Sequence, residues 1–183
     1  MRRLHATSAE ASLALDQRLV REAGAGNEDA FGALFDTHRR SVYRIARAVT
    51  GDHETSLDVV QDTFVKVYRG LNGWKGRSSL RTWIARIAIR AAIDQRRRAP
   101  PRGAPLDGQR EPSHDPRGRL EDEIALQRLH ELAERLDGQQ GLILRLRLLG
   151  QLSNAEVAQA LGLRESNVRM QLSKAVRRLR EML

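Results

Sequence analysis

Apolar residues recur at steps of three and four along much of the chain, a spacing that predicts amphipathic helices. No stretch shows the strict alternation of a half-buried strand, so the pattern favours an all-α fold. His38 lies on one of these apolar stripes, and we interpret it as a partly buried core histidine. The three stripes in the first half of the chain are Phe31, Leu34, Phe35, His38, Val42, Ile45, Ala46 and Val49; Leu57, Val60, Phe64, Val67 and Leu71; and Trp83, Ile84, Ile87 and Ala91.

Near the C-terminus, the pattern predicts two short helices about a tight turn. Ser153 and Glu156 have the spacing of a capping box, which begins a helix, and Gly162 can adopt the positive φ that ends one. Val157, Ala158 and Leu161 should form the buried face of the first helix. The second helix carries an apolar stripe, which should pack inward: Val168, Leu172, Ala175, Val176 and Leu179. This arrangement is typical of a helix-turn-helix.

The outer face of the second helix carries side chains that can bind DNA. At 100° per residue, the side chains opposite the apolar stripe are Ser166, Met170, Ser173, Lys174 and Arg177, with Arg169, Gln171 and Arg178 on the flanks. Arginine and lysine bind phosphates or guanine, glutamine and serine bind base edges, and methionine can contact a thymine methyl group. An ordinary helix with a solvated basic face is the alternative to a groove-reading helix.

All five prolines of the 183-residue chain lie between Pro100 and Pro116, among glycine and polar residues that cannot form a core. We therefore predict two small helical domains joined by a flexible Pro/Gly-rich linker, with the helix-turn-helix in the second domain. The predicted ranges are an N-terminal extension (1–23), a first domain (24–98), the linker (99–119) and a second domain (120–183).

Charge and composition narrow the class of protein. The formal net charge of +9 favours a polyanionic partner. The absence of cysteine excludes disulfides and cysteine-ligated zinc and fits a cytoplasmic protein. No apolar run is typical of a secretion signal or a transmembrane helix, so we expect no membrane insertion.

Two features of the first domain are unusual for packing alone. Asp58, Gln61, Asp62 and Lys66 form a compact charged patch opposite an apolar stripe, and in a basic domain this patch suggests a protein partner. In residues 73–90, two tryptophans are interleaved with Lys75, Arg77, Arg81 and Arg86. Aromatic faces stack on unpaired bases while cations bind the backbone, so this segment suits single-stranded nucleic acid. Trp74 is the better stacking candidate, because Trp83 has apolar helical neighbours that also fit a core position.

From about residue 28 to 181, the chain resembles the sigma-70 family of RNA polymerase sigma factors, in the short two-domain extracytoplasmic function (ECF) class. The resemblance rests on DVVQDTF at residues 58–64, on the GWKGRSSLRTWIARIAIR segment and on LSNAEVAQALGL followed by NVRMQLSKAVRRLRE. It implies that the chain binds core RNA polymerase and directs initiation at specific promoters. Its partners would then be core polymerase, duplex promoter DNA and the unpaired strand of the melted promoter. Because members of this class are often held by anti-sigma proteins, an anti-sigma factor is a further candidate partner.

The resemblance assigns roles by position. Core-polymerase binding is implied for Asp58, Gln61, Asp62 and Lys66. Capture and melting of the −10 element is implied for Trp74, Lys75, Arg77, Ser78, Trp83, Arg86, Arg90, Arg96 and Arg97. Reading of the −35 duplex is implied for Ser166, Asn167, Arg169, Met170, Gln171, Ser173, Lys174, Arg177 and Arg178. The chain departs from the family at Arg90, where asparagine is common, at Arg164, where a serine or threonine cap is frequent, and at Leu57, where an acid is usual.

Two other functions compete with this reading. A conventional helix-turn-helix regulator would bind a palindrome as a dimer and would need no polymerase-binding patch. A nuclease could use His53, Glu54, Asp58 and Asp62 to hold a divalent metal, although the solvated face of a helix also explains the two aspartates. We expect no catalytic residue, no metal and no cofactor, because in the sigma-factor reading DNA opening is driven by binding energy.

Overall fold

The computed structural model describes residues 8–98, 131–133, 135–136 and 138–182. Within these residues there are helices and turns but no strand, and the predicted all-α fold is confirmed. The long helices are α1 (Ser8–Gly24), α2 (Glu28–Thr50), α3 (His53–Gly70), α4 (Leu80–Arg98), α5 (Gly138–Leu148), α6 (Asn154–Leu161) and α7 (Glu165–Met182), and a 3-10 turn spans Leu71–Gly73. The predicted linker (99–119) lies outside the described residues.

The sharp turn between α2 and α3 follows from two adjacent residues. Gly51 ends α2 at φ 73°, a left-handed conformation that costs glycine little. Asp52 then begins α3, because its carboxylate accepts a hydrogen bond of 2.8 Å from the Thr55 backbone N–H. The turn lets α2 and α3 pack against each other and against α4.

Helix α1 belongs to this packed body, although the sequence assigned residues 1–23 to an N-terminal extension. Val20 and Ala23 are buried in the same hydrophobic cluster as the cores of α2 and α4. Asp16 accepts a hydrogen bond from the backbone N–H of Leu80, the first residue of α4; burial nevertheless raises the pKa of Asp16. The body therefore begins before residue 24, because α1 supplies both core surface and a partner for the N-terminus of α4.

The C-terminal half packs directly on the N-terminal half. Helix α6 lies against α4, and α5 lies against α2. One hydrophobic cluster joins the two halves, with Ile84 and Ala88 on one side and Leu146, Leu152 and Val157 on the other. A second, smaller cluster inside the C-terminal half contains Ala133, Leu136, Leu144 and Ala175. No helix in the described residues combines the length and the hydropathy needed to cross a membrane.

Candidate functional site

The charged patch predicted on the first domain forms an exposed face of α3. Asp58, Gln61 and Asp62 are all exposed, and the Lys66 ammonium lies 2.7 Å from Asp62 Oδ2 in an ion pair between two exposed side chains. Such a pair contributes little stability, since water and salt screen it. The face is therefore available for a partner protein.

Apolar side chains that the sequence analysis did not assign to this face extend it. Val65 is 41 % exposed and, at 100° per residue, lies within about 60° of Asp58, Gln61 and Asp62 around the helix. Leu57 (42 % exposed) and Tyr68 (52 % exposed) lie along its flank, and the Tyr68 ring packs edge-on against Phe31 at 5.0 Å between centroids. The sequence could have identified these side chains by their position on the helix, opposite the buried stripe of Val59, Thr63 and Val67. Apolar and aromatic side chains with polar residues around them are usual for a protein-binding surface.

The glycine-containing loop between α3 and α4 presents its cations to solvent and turns its tryptophan partly inward. Lys75 and Arg77 are exposed, and Lys75 Nζ donates a hydrogen bond of 3.2 Å to the Asn72 carbonyl. Ser78 is half-buried. Trp74 is also half-buried and packs against the main hydrophobic cluster, and its buried indole N–H has no hydrogen-bond partner among the residues that the structure describes. The loop and α1 border an open groove, which is lined by residues that include Gln17, Arg21, Trp74 and Lys75.

Helix α4 places one aromatic and three basic side chains on a single face. At 100° per residue, Trp83, Arg86, Arg90 and Arg97 fall within about 60° of one another. Arg90 and Arg97 are exposed, and Trp83 and Arg86 are half-buried. Trp83 lies against Gly70 so closely that a Cβ there would come within 3.2 Å of its ring, so glycine permits this packing. Arg96 is directed elsewhere: its Nη1 donates to the Val49 carbonyl at 3.1 Å, near the C-terminus of α2.

The helix-turn-helix forms as the sequence predicts. Both halves of the capping box are present, with Ser153 Oγ accepting from the Glu156 N–H at 3.1 Å and Glu156 Oε2 accepting from the Ser153 N–H at 2.8 Å. Gly162 ends α6 at φ 69°, and the Leu163 N–H donates back to the Ala158 carbonyl at 2.8 Å. Helix α7 begins at Glu165, three residues after this glycine.

Helix α7 exposes most of its surface. Only Val168 and Ala175 are fully buried on it. The predicted contact residues that are exposed are Ser166, Arg169, Met170, Ser173, Lys174, Arg177 and Arg178. Arg169 forms an exposed i,i+4 ion pair with Glu165 at 2.6 Å. A DNA phosphate can replace the Glu165 carboxylate as its partner at a small cost in free energy. The central face of α7 can therefore enter a groove without rearrangement of the helix.

Two predicted contact residues are less available. Asn167 and Gln171 are half-buried, and the side-chain oxygen of each is buried. Arg178, on the same flank, donates to Gln140 Oε1 of α5 at 3.4 Å. Val176, which the apolar stripe assigned to the core, is 41 % exposed. That assignment was wrong: at 100° per residue, Val176 lies about 80–100° around the helix from the buried Val168 and Ala175, at the edge of the stripe.

His53, one of the residues proposed for a metal site, contacts a tyrosine side chain instead. His53 Nδ1 is 2.8 Å from the Tyr43 hydroxyl, and the two rings meet edge-on. Among the described residues, no group of three or more histidine, aspartate or glutamate side chains could hold a metal ion. His38, predicted to be a partly buried core histidine, is 9 % exposed, and that prediction is confirmed.

Comparison with known proteins connects these faces to one family. Residues 34–100 match the family model described as sigma-70 region 2, and residues 126–179 match sigma-70 region 4. The chain is 30 % identical to the ECF RNA polymerase sigma factor SigM of Mycobacterium tuberculosis, covering 92 % of this chain and 84 % of the relative. It is also 30 % identical to the ECF sigma factor BldN of Streptomyces coelicolor, covering 96 % and 69 % of the two chains.

A solved structure agrees with these matches. CnrH, solved in complex with the cytosolic domain of CnrY, superposes with a TM-score of 0.68 at 25 % identity, covering 92 % of this chain and 96 % of CnrH. Neither the family models nor these relatives favour a conventional dimeric regulator.

Proposed function

We propose that the two halves of this chain divide promoter recognition between them. The chain belongs to the sigma-70 family of RNA polymerase sigma factors and to its ECF class. As a sigma factor, it binds core RNA polymerase and promoter DNA and directs transcription initiation. The observation that carries the division is that both family regions place exposed, chemically suitable faces outward: the acidic and apolar face of α3 within region 2, and the basic face of α7 within region 4.

Core polymerase binds the face of α3. Asp58, Gln61 and Asp62 supply hydrogen-bond acceptors, and Val65 adds apolar area at the centre of the same face. Lys66 forms an ion pair with Asp62 and so sets the orientation of that carboxylate. We include Leu57 and Tyr68 in this surface because their exposed side chains border it.

The −10 element is bound by α4 and the loop before it. Lys75, Arg77, Arg86, Arg90 and Arg97 bind the phosphates of the unpaired strand, while Trp83 and Ser78 lie along its path. Trp74 must turn outward to stack on a base, because its indole is packed against the core in the free protein. Stacking of a tryptophan on a base is possible only when that base is unpaired, so this contact stabilises the melted promoter and needs no catalytic group. Arg96, bonded to the Val49 carbonyl, acts here by holding α4 against α2.

The −35 duplex is read by the exposed face of α7. Met170, Ser173 and Arg177 lie at its centre, with Arg169 and Lys174 on either side. Ser166 lies at the N-terminal end of this face, and Arg178 binds backbone from its edge. Asn167 and Gln171 contact DNA only if their half-buried side chains rotate outward.

We further propose three properties of the chain in the cell. It acts in the cytoplasm, where core polymerase and DNA are present. It carries out no catalysis of its own. A regulatory protein of the anti-sigma class binds it, a proposal supported by the similar CnrH, which was solved with the cytosolic domain of CnrY.

Run-off transcription with core polymerase tests the division directly. Asp62→Arg places a cation within the acidic face of α3, and we expect loss of core binding in a pull-down together with loss of transcript. Lys174→Ala keeps core binding but lowers transcription from a template with an intact −35 element, by about five- to tenfold for a lost phosphate or base contact. With a scrambled −35 element, Lys174→Ala and wild type should be equally weak.

Matched controls separate these effects from general changes in charge. Asp36→Arg makes the same charge reversal at an exposed acid of α2, and Arg135→Ala removes an exposed cation outside α7. Both should transcribe like wild type. If Asp62→Arg binds core polymerase as well as Asp36→Arg does, the docking role of α3 is wrong.

A further inference from the structure

Three arginines that the proposed function does not use lie where α2 meets the first turn of α4. Arg40 and Arg44 are one helical turn apart on α2, so their side chains leave the same side of that helix. Arg81 lies in the first turn of α4, which packs against α2, and its charge acts on the Arg44 guanidinium group. Two helices therefore bring three guanidinium groups together.

The positive charge of this group is only partly compensated. Burial first, and then the charges of Arg40 and Arg81, lower the pKa of Arg44 below the usual value for arginine. Within the described residues, neither Arg40 nor Arg44 forms an ion pair. Arg81 does have an anionic partner, Glu156 of α6, at 3.0 Å between Nε and Oε1. Holding the remaining like charges together costs free energy, which a bound anion would offset.

Buried polar atoms beside these arginines have no hydrogen-bond partner. His38 Nε2, Ser41 Oγ and Arg44 Nε follow one another at steps of three residues along α2 and fall within about 120° around it, and none bonds to a described residue. His38 is 9 % exposed, and after burial the charge of Arg81 further lowers its pKa, so the ring lies close to this group. Buried polar groups nearly always have partners, and exceptions indicate a bound ion or water. Three consecutive exceptions beside a cluster of cations indicate that this surface binds an anion.

The donors fit the oxygen atoms of a phosphate group. A guanidinium group is a planar fork that donates two parallel hydrogen bonds to one phosphate. A carboxylate offers only two acceptor oxygens, whereas a phosphate offers three, enough for several forks at once. Arg40 and Arg81 are exposed, so an anion can reach them from solvent, and the half-buried Ser41 and Arg44 lie further in.

The position of the group favours a small solute over promoter DNA. Around α4, Arg81 lies about 140–180° from the basic side chains that we assign to the −10 element, which are Arg86, Arg90 and Arg97. A strand bound to that face therefore runs along the opposite side of the helix. A rigid duplex also cannot follow the surface inward to the half-buried Arg44, whereas a single phosphate group can.

We infer that Arg40, Arg44 and Arg81 form a binding site for a phosphate group carried by a small solute, such as pyrophosphate or a nucleotide. The phosphate oxygens accept hydrogen bonds from the guanidinium groups, and the negative charge offsets the repulsion among them. Binding stabilises the folded chain, because only the packing of α2 against α4 brings the three arginines together. The site is a property of the isolated chain and requires neither core polymerase nor a promoter.

Calorimetric titration of the full chain with pyrophosphate, at constant ionic strength, tests the site. Arg44→Gln should weaken binding by about tenfold or more, the usual loss when a charged hydrogen-bonding group is removed. Arg40→Gln should weaken it by about three- to tenfold, because this side chain is exposed. The matched control is Arg39→Gln, which removes the same charge from the same helix. Arg39 lies about 140° around α2 from Arg44 and pairs with Asp36 at 3.5 Å, so its loss should weaken binding by less than about twofold.

Nuclear magnetic resonance locates the bound anion on the chain. Pyrophosphate should shift the backbone amide signals of residues 38–44 and 80–82 most strongly, and Arg44→Gln should remove these shifts. Circular dichroism should show wild-type helix content for each variant, and the exposed Arg40→Gln keeps the test decisive if Arg44→Gln fails to fold. The inference is overturned if both glutamine variants bind pyrophosphate as wild type does, or if the largest shifts fall on residues 86–97.

A second arm separates a small solute from DNA, which carries the same chemical group. The isolated chain is titrated with a short duplex at the same ionic strength, since binding to DNA phosphates depends strongly on salt. Arg44→Gln and Arg39→Gln should bind the duplex equally well. If Arg44→Gln instead weakens duplex binding as much as it weakens pyrophosphate binding, the group holds DNA backbone and the assignment to a small solute is wrong.

Discussion

The two helices that face DNA are built in opposite ways. In α4, eight of 19 residues are buried, including Leu80, Ile84 and Ile89, and the DNA-facing side chains project from a helix that packs against α2, α3 and α6. In α7, two of 18 residues are buried, and the remainder is exposed or partly covered. Helix α4 is therefore a structural helix with one functional face, whereas most of the surface of α7 can vary at little cost in stability.

A core substitution in α4 should have the largest effect. Ile84 is 1 % exposed and borders the cluster shared by both halves. Ile84→Ala should lower the free energy of unfolding by about 2–5 kcal/mol, measured by urea denaturation followed by circular dichroism. Ile84→Val, which removes a single methyl group, should cost about 0.5–1.5 kcal/mol. Equal losses for the two variants would show that the site is not packed as described.

The equivalent change in α7 should be smaller. Val168 is fully buried, but it is one of only two such residues on this helix. Val168→Ala should cost about 1–3 kcal/mol in the same denaturation experiment. Val176→Ala, at the exposed position on the same helix, should change stability by less than about 0.5 kcal/mol. A Val176 effect as large as the Val168 effect would mean that α7 is covered on a second side.

Loss of the α6 cap should have an effect of about 1 kcal/mol. Ser153→Ala removes the acceptor for the Glu156 N–H at the start of the helix that precedes α7. Ser166→Ala, at an exposed serine in the first turn of α7, serves as the matched control and should be nearly neutral. If the control costs as much as Ser153→Ala, hydroxyl loss in general, and not capping, explains the result.

The smallest expected effect is the pH dependence of stability that arises from the buried His38 of α2. Burial, and secondly the nearby charge of Arg81, lower the pKa of His38 below its usual 6.5. The folded protein thus favours neutral His38, so its contribution to stability is complete above pH 6.5 and decreases as pH falls toward the lowered pKa. Unfolding measured between about pH 7.5 and about pH 5 should show this decrease. The decrease should be weaker in His38→Leu; an unchanged profile would assign it to other groups.

Local features were predictable because they depend on residues a few positions apart. The capping box of Ser153 and Glu156 and the left-handed Gly162 follow from backbone chemistry within one or two turns. The outward faces of α3 and α7 follow from helical periodicity, since a stripe opposite the core must face solvent. The proposed docking and reading residues are recognisable for this reason.

Other features required the packed chain. Helix α1 joins the body because Val20, Ala23 and Asp16 find partners on α2 and α4, and periodicity cannot show which helix a neighbour will cover. Val176 lies at the edge of the apolar stripe and is exposed, because packing buries the stripe only near its centre, at Val168 and Ala175. The inward position of Trp74 and the buried amide oxygens of Asn167 and Gln171 likewise depend on neighbouring elements.

The helices, their caps and turns and their polar faces follow from the amino-acid sequence, since they depend on interactions within a few residues. The packing of α4 against α6 and the contact of Arg81 with Glu156 arise only in the folded chain, since 75 residues separate the two side chains and nothing in either local pattern specifies the other. Local chemistry therefore supplies the two DNA-binding faces, and long-range packing sets the distance between them.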